Sequence, residues 1–280
     1  PGPQLGWVTE QPETGKPLRR PLFGEGEKDL WTFRRIRYGG HHSSPTTDVT
    51  LVNLPQVDYW LAPVTGVDSA ERKSALAGAR ELTWCFVHWL QVDAPRPDGG
   101  TGYPELRPNG DVLGTDDGLA RTPYIRESRR IRAQTTVLEQ HVGVQARPGA
   151  SAAAVFDDTV GVGSYRIDLH PSTAGRGYLD IATFPFQIPL GALLPQRVQN
   201  LVAAGKSLGA THITNGCYRL HPVEWNVGEA AGALAAYCLE RRVVPSAVRA
   251  TPRLLEEFQQ SLADLGVELE WPDDIRTQQR

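Results

Sequence analysis

The strongest periodic pattern of the chain lies in its last third, from Asn200 to Arg241. A short apolar run at 201–204 ends at Gly205 and predicts a buried strand. The polar stretch from Lys206 to Leu220 predicts a loop. Apolar residues then recur every 3.6 residues after His221-Pro222, and proline suits a first helical turn because its missing N–H costs no hydrogen bond there. This strand, loop and helix could be a packed unit without a ligand, or the helix N-terminus could hold an anionic or electron-rich group.

Two more helices follow from the same spacing. Asp68-Ser69-Ala70-Glu71 has the character of a capping box, and apolar residues continue at helical spacing to about Val92. Thr251-Pro252 begins the other helix, and Gly266 ends it. Residues 93–120 are rich in Pro, Gly and Asp and predict a long loop that packs over something, as a lid or a contact.

Alternation of apolar and polar residues predicts further strands. In one of them, Tyr165 and Ile167 point to one face, while Asp168 and His170 point to the other. The polar face lines either solvent or a substrate cavity. The predicted strands are 31–38, 48–54, 160–170 and a short one at 267–271.

The composition of the chain excludes some classes of binding partner. The formal net charge of −3 over 280 residues implies no general attraction to nucleic acid. No apolar run approaches the ~20 residues that span a bilayer, so no membrane partner is expected. Cys85, Cys217 and Cys238 form no C-x-x-C pair, which favours reduced, buried thiols in a cytoplasmic protein. The adjacent His41 and His42 have no further ligand at metal-binding spacing, and no metal site is predicted.

An arginine-rich segment stands in the middle of the chain. It reads PYIRESRRI over 123–131 and has a single carboxylate, Glu127, inside the run. Such a run is either a salt-bridged surface or an anion clamp.

Four segments, in order, resemble the FAD-dependent oxidoreductases of the glutathione-reductase-like superfamily. They are residues 31–54, which include DVTLVN; PYIRESRRI; residues 156–170; and 200–241. The last segment carries NLVAAGK, GATH, GCYR, Pro222 and GEAAG. Lys206 replaces the usual arginine of this pattern, and Trp225 stands where a smaller residue is common.

The resemblance implies an α/β fold, with α+β character in the substrate part, that is the C-terminal portion of a two-domain enzyme. Its FAD domain is Rossmann-like and incomplete. The expected organisation is an irregular arm at 1–30, a β-rich substrate or cap domain at 31–190 with a long helix at 68–92, the C-terminal part of the FAD-binding domain at 191–245, and a C-terminal helix and tail at 246–280.

The resemblance also implies a chemistry: FAD takes a hydride from a small organic substrate. The N-terminus of the helix at Pro222 is expected to face the flavin ring. The residues expected to bind the cofactor are Gly205, Lys206, Ser207, Gly216, Arg219, Leu220, His221 and Pro222. The candidate acid–base or substrate-anchoring residues are His212, His170, Tyr165 and Arg129.

One element of such a fold is missing from the sequence. A dinucleotide-binding domain needs a G-x-G-x-x-G turn, and Gly161-Val162-Gly163 lacks the third glycine and lies inside a predicted strand. Either a second polypeptide or an N-terminal segment carries the turn, or the chain has lost FAD and serves as a non-catalytic partner or regulatory subunit. We favour the first explanation because the pattern of the flavin-side loop and helix is intact.

Overall fold

The structure is a computed structural model that describes residues 8–10, 17–19, 22–23, 29–43, 46–53, 57–127, 129–175 and 177–279. The chain divides into two compact units. The first unit comprises residues 1–124 together with 170–178, and the second comprises 125–169 together with 179–280. Most of the predicted arm at 1–30 lies outside the described residues.

The first unit is built on one long helix and small antiparallel strand pairs. β1 pairs with β2, and β3 pairs with β4. Its elements are β1 (Val8–Glu10), β2 (Pro17–Arg19), α1 (Leu30–Phe33), β3 (Arg35–Arg37), a 3-10 turn (Gly39–His41), β4 (Val49–Thr50), α2 (Ser69–Val92) and α3 (Gly110–Leu113).

Helix α2 begins as its sequence predicts. The Asp68 side chain accepts hydrogen bonds from the N–H groups of Ala70 and Glu71, and the Glu71 side chain accepts one from Asp68 N, so the capping box is confirmed. The helix contributes Phe86 and Leu90 to a small core. Trp84 is exposed, so the aromatic content of α2 is only partly in that core.

The second unit mixes helices with two antiparallel strand pairs, β5 with β8 and β6 with β7. This mixture agrees with the predicted α/β class. Its elements are α4 (Glu139–Val142), β5 (Thr159–Gly163), β6 (Ile167–Leu169), β7 (Leu179–Ile181), β8 (Phe186–Pro189), α5 (His212–Tyr218), α6 (His221–Arg241), α7 (Pro245–Ala250), α8 (Pro252–Asp264) and α9 (Asp273–Arg276).

The predicted helices at 221 and 252 are confirmed as α6 and α8. Helix α6 places Val223, Val227 and Leu234 in the large core of this unit, packed against β5. The core buries apolar side chains from both strand pairs and from five helices, α4 to α8, and this burial is the main stabilising term for such a unit.

The predicted loop at 206–220 is wrong, because it contains helix α5. Thr211 caps this helix by accepting from Thr214 N, and Thr214 Oγ1 accepts from Thr211 N in return. The signal was visible as Thr211 and Thr214 three residues apart, but threonine is a weak substitute for the Glu or Gln of a capping box. The run of small polar residues around Thr211 also favoured the prediction of a loop.

The predicted strands differ more from the structure. Residues 201–204 form no strand, and 160–170 forms two strands, β5 and β6, instead of one. Residues 267–271 pair with no strand, because the carbonyl of Leu269 accepts from the side chains of Thr159 and Gln187 instead. Residues 31–38 begin with a helical turn, since Asp29 accepts from Thr32 N. Of the strand predicted at 48–54, the structure describes residues 48–53, and among these 49–50 form a strand.

Candidate functional site

A loop with a left-handed glycine lies beside the first turn of α6. Gly205 has φ +80°, and a Cβ added to it would lie 3.1 Å from the Glu224 carboxylate. The Asn215 side chain donates to the carbonyl of Lys206 at 3.1 Å. The loop at 205–207, predicted to bind the cofactor, therefore lies between α5 and the start of α6.

The arginine-rich segment runs along the same loop. Lys206 Nζ donates to the carbonyl of Ile125 at 2.6 Å, and Ile131 N donates to the carbonyl of Ser207 at 2.9 Å. Two segments that are about 75 residues apart in sequence thus form one polar surface in the second unit. In the arginine-rich segment, the residue Arg129 is exposed to solvent.

A buried ion pair joins the two most distinctive motifs. Arg219 is 7% exposed; its Nη2 donates to the carbonyl of Asp168 at 2.6 Å, and its Nε lies 3.4 Å from Glu127 Oε1. Because the Nε and Oε1 atoms make no hydrogen bond within the described residues, the contact is electrostatic. Arg219, predicted to bind cofactor, is thus at least a structural link between GCYR and PYIRESRRI.

Two other predicted residues of α5 have different surroundings. Gly216 faces the backbone of Asp168, which an added Cβ would approach to 3.1 Å, so a glycine allows α5 to pack closely on β6. His212 is the first residue of α5 and is half-buried. Tyr165 is half-buried before β6, and its carbonyl accepts from Thr183 Oγ1 at 2.7 Å.

The N-terminus of α6 is suited to an electron-rich group. Leu220 occupies the N-cap with extended backbone, and its apolar side chain cannot accept from the first amides. His221 and Pro222 are exposed there. The 21-residue helix directs its positive dipole end at this position. Glu224, in the first turn, places a carboxylate near the same end, which the sequence did not reveal as part of the site.

One orphaned group lies inside the same cluster. Asn215 is fully buried, and its Oδ1 has no hydrogen-bond partner among the described residues. An unpaired buried acceptor costs free energy of about 1–3 kcal/mol. The glycine loop, the uncapped helix start and this acceptor together fit the pyrimidine edge of a flavin ring, which presents both acceptors and an N–H donor.

Neighbouring titratable groups on α5 are not reactive. Burial raises the pKa of the Cys217 thiol and raises the pKa of the Tyr218 hydroxyl well above its usual value. Tyr218 donates to the carbonyl of Gln187 at 2.6 Å. Both side chains therefore stay neutral and serve packing. Cys238 is also buried, whereas Cys85 is exposed, contrary to the expectation of three buried thiols.

The first unit holds a separate histidine–carboxylate pair. His170 Nδ1 contacts Asp58 Oδ2, and the Tyr178 ring meets the imidazole edge-on with centroids 5.8 Å apart. The side chains of His170 and Asp58 are 12% and 19% exposed. Asp58 was not predicted, because 112 residues separate the partners and no local pattern links them.

Across the ranges that the structure describes, no three His, Cys, Asp or Glu side chains gather as a metal ion would require. No helix in those ranges is both long enough and apolar enough to cross a membrane.

A sequence model of the family described as FAD dependent oxidoreductase matches residues 7–262. The chain belongs to the FAD-dependent oxidoreductase family, and FAD is its cofactor. Comparisons with curated proteins and with solved structures gave no match.

Proposed function

We propose that this chain forms the ring-side half of an FAD site and oxidises a small organic substrate by hydride transfer to the flavin. The observation that carries the proposal is the convergence of the loop at 205–207, the segment at 125–131 and the start of α6 in one unit. When bound, FAD supplies the redox chemistry by accepting the hydride.

The chain's own groups would hold the ring and set its electrostatics. The amides at the start of α6 would hold the electron-rich edge of the ring, and the helix dipole would stabilise negative charge there. The Asn215 side chain holds the loop by its bond to Lys206 O, and its unpaired Oδ1 would accept an N–H of the ring. The Lys206 ammonium, fixed on Ile125 O, adds a positive charge beside the loop.

A proton acceptor is also needed, because a carbon that loses a hydride leaves its O–H or N–H acidic. His170, His212, Tyr165 and Arg129 stay candidates for this proton acceptor or for anchoring the substrate.

We further propose that a second polypeptide, or a segment N-terminal to this chain, supplies the dinucleotide turn. FAD requires a glycine-rich turn for its pyrophosphate, and the 280 residues contain none. One face of α6 supports such a partner: Trp225 is 72% exposed and Leu239 is 80% exposed. Between them, added Cβ atoms at Gly228 and Gly232 would meet no atom within 4 Å, so another backbone could approach closely.

Ligand titration of the full chain tests the ring-side half-site. If the chain holds only the ring, it should bind lumiflavin and FAD with dissociation constants within about threefold of each other, measured by flavin fluorescence. Gly205→Val should weaken both at least tenfold, because the side chain would enter the space beside Glu224. Gly266→Val is the matched control, since Gly266 also has positive φ but faces open space.

Three results would contradict the proposal. Absence of binding of either flavin at millimolar concentration would remove the ring site. FAD binding more than tenfold tighter than lumiflavin would show that the chain also holds the adenosine half. Equal weakening by Gly205→Val and Gly266→Val would mean that backbone strain, rather than loss of the cradle, causes the effect.

A further inference from the structure

A polar cleft of 720 Å³ opens in the first unit. Its walls are the end of β3, Thr47 and the loop at 107–116. The residues that carry its chemistry are Arg37, Arg107, Asn109, Asp111, Thr115 and Asp116. The volume suits a small molecule. None of these residues belongs to the flavin-side cluster or to the His170–Asp58 pair.

The wall at 107–116 is held in place by specific contacts. The Asn109 side chain accepts from Val112 N at 3.2 Å, and Arg121 donates to the carbonyl of Gly114 at 2.9 Å. Just beyond the wall, Asp117 forms an ion pair with Arg80 of α2. The cleft is therefore lined by a fixed turn that is anchored to the long helix.

Four charged side chains line the cleft without neutralising one another. Arg37 uses its Nε to donate to the carbonyl of Thr47 at 3.1 Å, which fixes the guanidinium and leaves its terminal nitrogens for another group. Within the part of the chain that the structure describes, Arg37, Arg107, Asp111 and Asp116 form no ion pair, although other arginines and aspartates of this unit do.

A fifth group in the wall lacks a partner. The hydroxyl oxygen of Thr115 is buried and makes no hydrogen bond with any described residue. A hydroxyl can donate or accept, and Thr115 is one of the residues that line the cleft. Burial of this group without a partner is costly unless a bound molecule or water satisfies it.

We propose that this cleft binds a small zwitterion, a molecule that carries both a carboxylate and a protonated amine. A simple anion would be attracted by the two arginines but repelled by the two aspartates. A simple cation would be attracted by the aspartates but repelled by the arginines. Only a ligand with both charges gains from all four side chains.

Isothermal titration of the full chain with ω-amino acids of increasing length tests the site. The series glycine, β-alanine, 4-aminobutanoate, 5-aminopentanoate and 6-aminohexanoate varies the distance between the two charges. We expect one length to bind best, with affinity at least tenfold above acetate and above methylammonium. Binding should weaken as ionic strength rises, because exposed charges are screened.

Charge-neutralising variants locate the ligand. Arg107→Gln should weaken the best-binding member at least tenfold, and so should the double variant Asp111→Asn with Asp116→Asn. The matched controls Arg276→Gln and Asp273→Asn remove the same charges from a surface pair in the second unit and should leave affinity unchanged.

The proposal is overturned if no member of the series binds at 10 mM to folded protein. It is also overturned if acetate or methylammonium binds as tightly as the best zwitterion, or if the cleft variants leave affinity unchanged. Circular dichroism confirms that each variant is folded. Since the readout is binding without flavin, failure here leaves the proposed oxidoreductase site untouched.

Discussion

The two glycines on the exposed face of α6 allow a prediction of whether their substitution raises or lowers the free energy of unfolding. Glycine in a helix interior is less stable than alanine by about 0.5–1 kcal/mol, because it loses more backbone entropy on folding. Gly228 and Gly232 lie inside α6, and a Cβ at either position would meet no atom within 4 Å. Gly228→Ala and Gly232→Ala should therefore each raise the free energy of unfolding, together by about 1–2 kcal/mol.

Urea denaturation followed by circular dichroism measures this gain. Gly209→Ala is the informative contrast, because an added Cβ there would lie 2.5 Å from Thr135 O and closer still to Ala133. That overpacking should cost about 1–3 kcal/mol. The two kinds of glycine should thus change stability in opposite directions.

The same alanine variants test the proposed partner. If its backbone approaches Gly228 and Gly232, the added methyl groups should weaken assembly with that segment and reduce FAD uptake, although the isolated chain is more stable. Loss of stability in the isolated chain would refute the claim that this face is open. Undiminished assembly and FAD uptake would refute the close approach of a second backbone.

Two further predictions concern the second unit. Arg219→Met should cost about 3–5 kcal/mol in urea denaturation, because it leaves the Glu127 carboxylate buried without its cation. For His141, burial and then the charge of Arg147 lower the pKa, so the folded state favours the neutral ring. The contribution of the neutral His141 ring to the free energy of unfolding is complete above pH 6.5, the usual pKa of histidine. That contribution is lost as the pH falls from there through the lowered pKa of the folded state. His141→Gln should therefore flatten the decline in stability between about pH 7 and pH 5.

Each of these predictions has a control. For Arg219, the second variant is Glu127→Gln, and the double variant should recover part of the loss; a coupling energy near zero in the cycle would show that the pair is not desolvated. For His141, the control is the unsubstituted chain measured over the same pH range. An unchanged slope in His141→Gln would contradict the assignment.

The sequence predicts well those elements whose signals are local. The start of α2 follows from Asp68 and Glu71, three residues apart, and the start of α6 follows from Pro222. Both are decided within one helical turn. The apolar face of α6 was also correctly predicted, because a 3.6-residue period over 21 residues leaves little choice of buried side.

The strands were predicted poorly because their partners are distant. No residue near Leu269 reveals that its carbonyl accepts from the Thr159 side chain, 110 residues away, instead of from a neighbouring strand. Residues 201–204 are apolar enough for a strand, yet no ladder partner is supplied there. β-propensity is only a preference for a partly buried pleated surface, and pairing decides the outcome.

The candidate functional site likewise contains some features that the sequence reveals and others that it does not. The loop at 205–207 and the helix start at Pro222 are readable because glycine and proline are local signals. The Glu127–Arg219 and His170–Asp58 pairs join distant positions, and no spacing rule reports them. The bond from the Asn215 side chain to Lys206 O joins the loop to helix α5, which was not predicted. Sequence motifs thus select candidate segments, whereas the contacts show how each segment is held.

Those contacts bear on the departure of Lys206 from the usual arginine. An arginine could form two parallel bonds, but an ammonium acts as a point charge, and here the Lys206 ammonium donates to the carbonyl of Ile125. This side-chain bond and the Ile131–Ser207 backbone bond tie the loop to the 125–131 segment, and the Asn215 side chain ties it to α5. A loop fixed from both sides needs no ligand to order it. The ring-side half of the proposed site is therefore preformed, which lowers the entropic cost of binding and is why a bare ring such as lumiflavin should suffice to detect it.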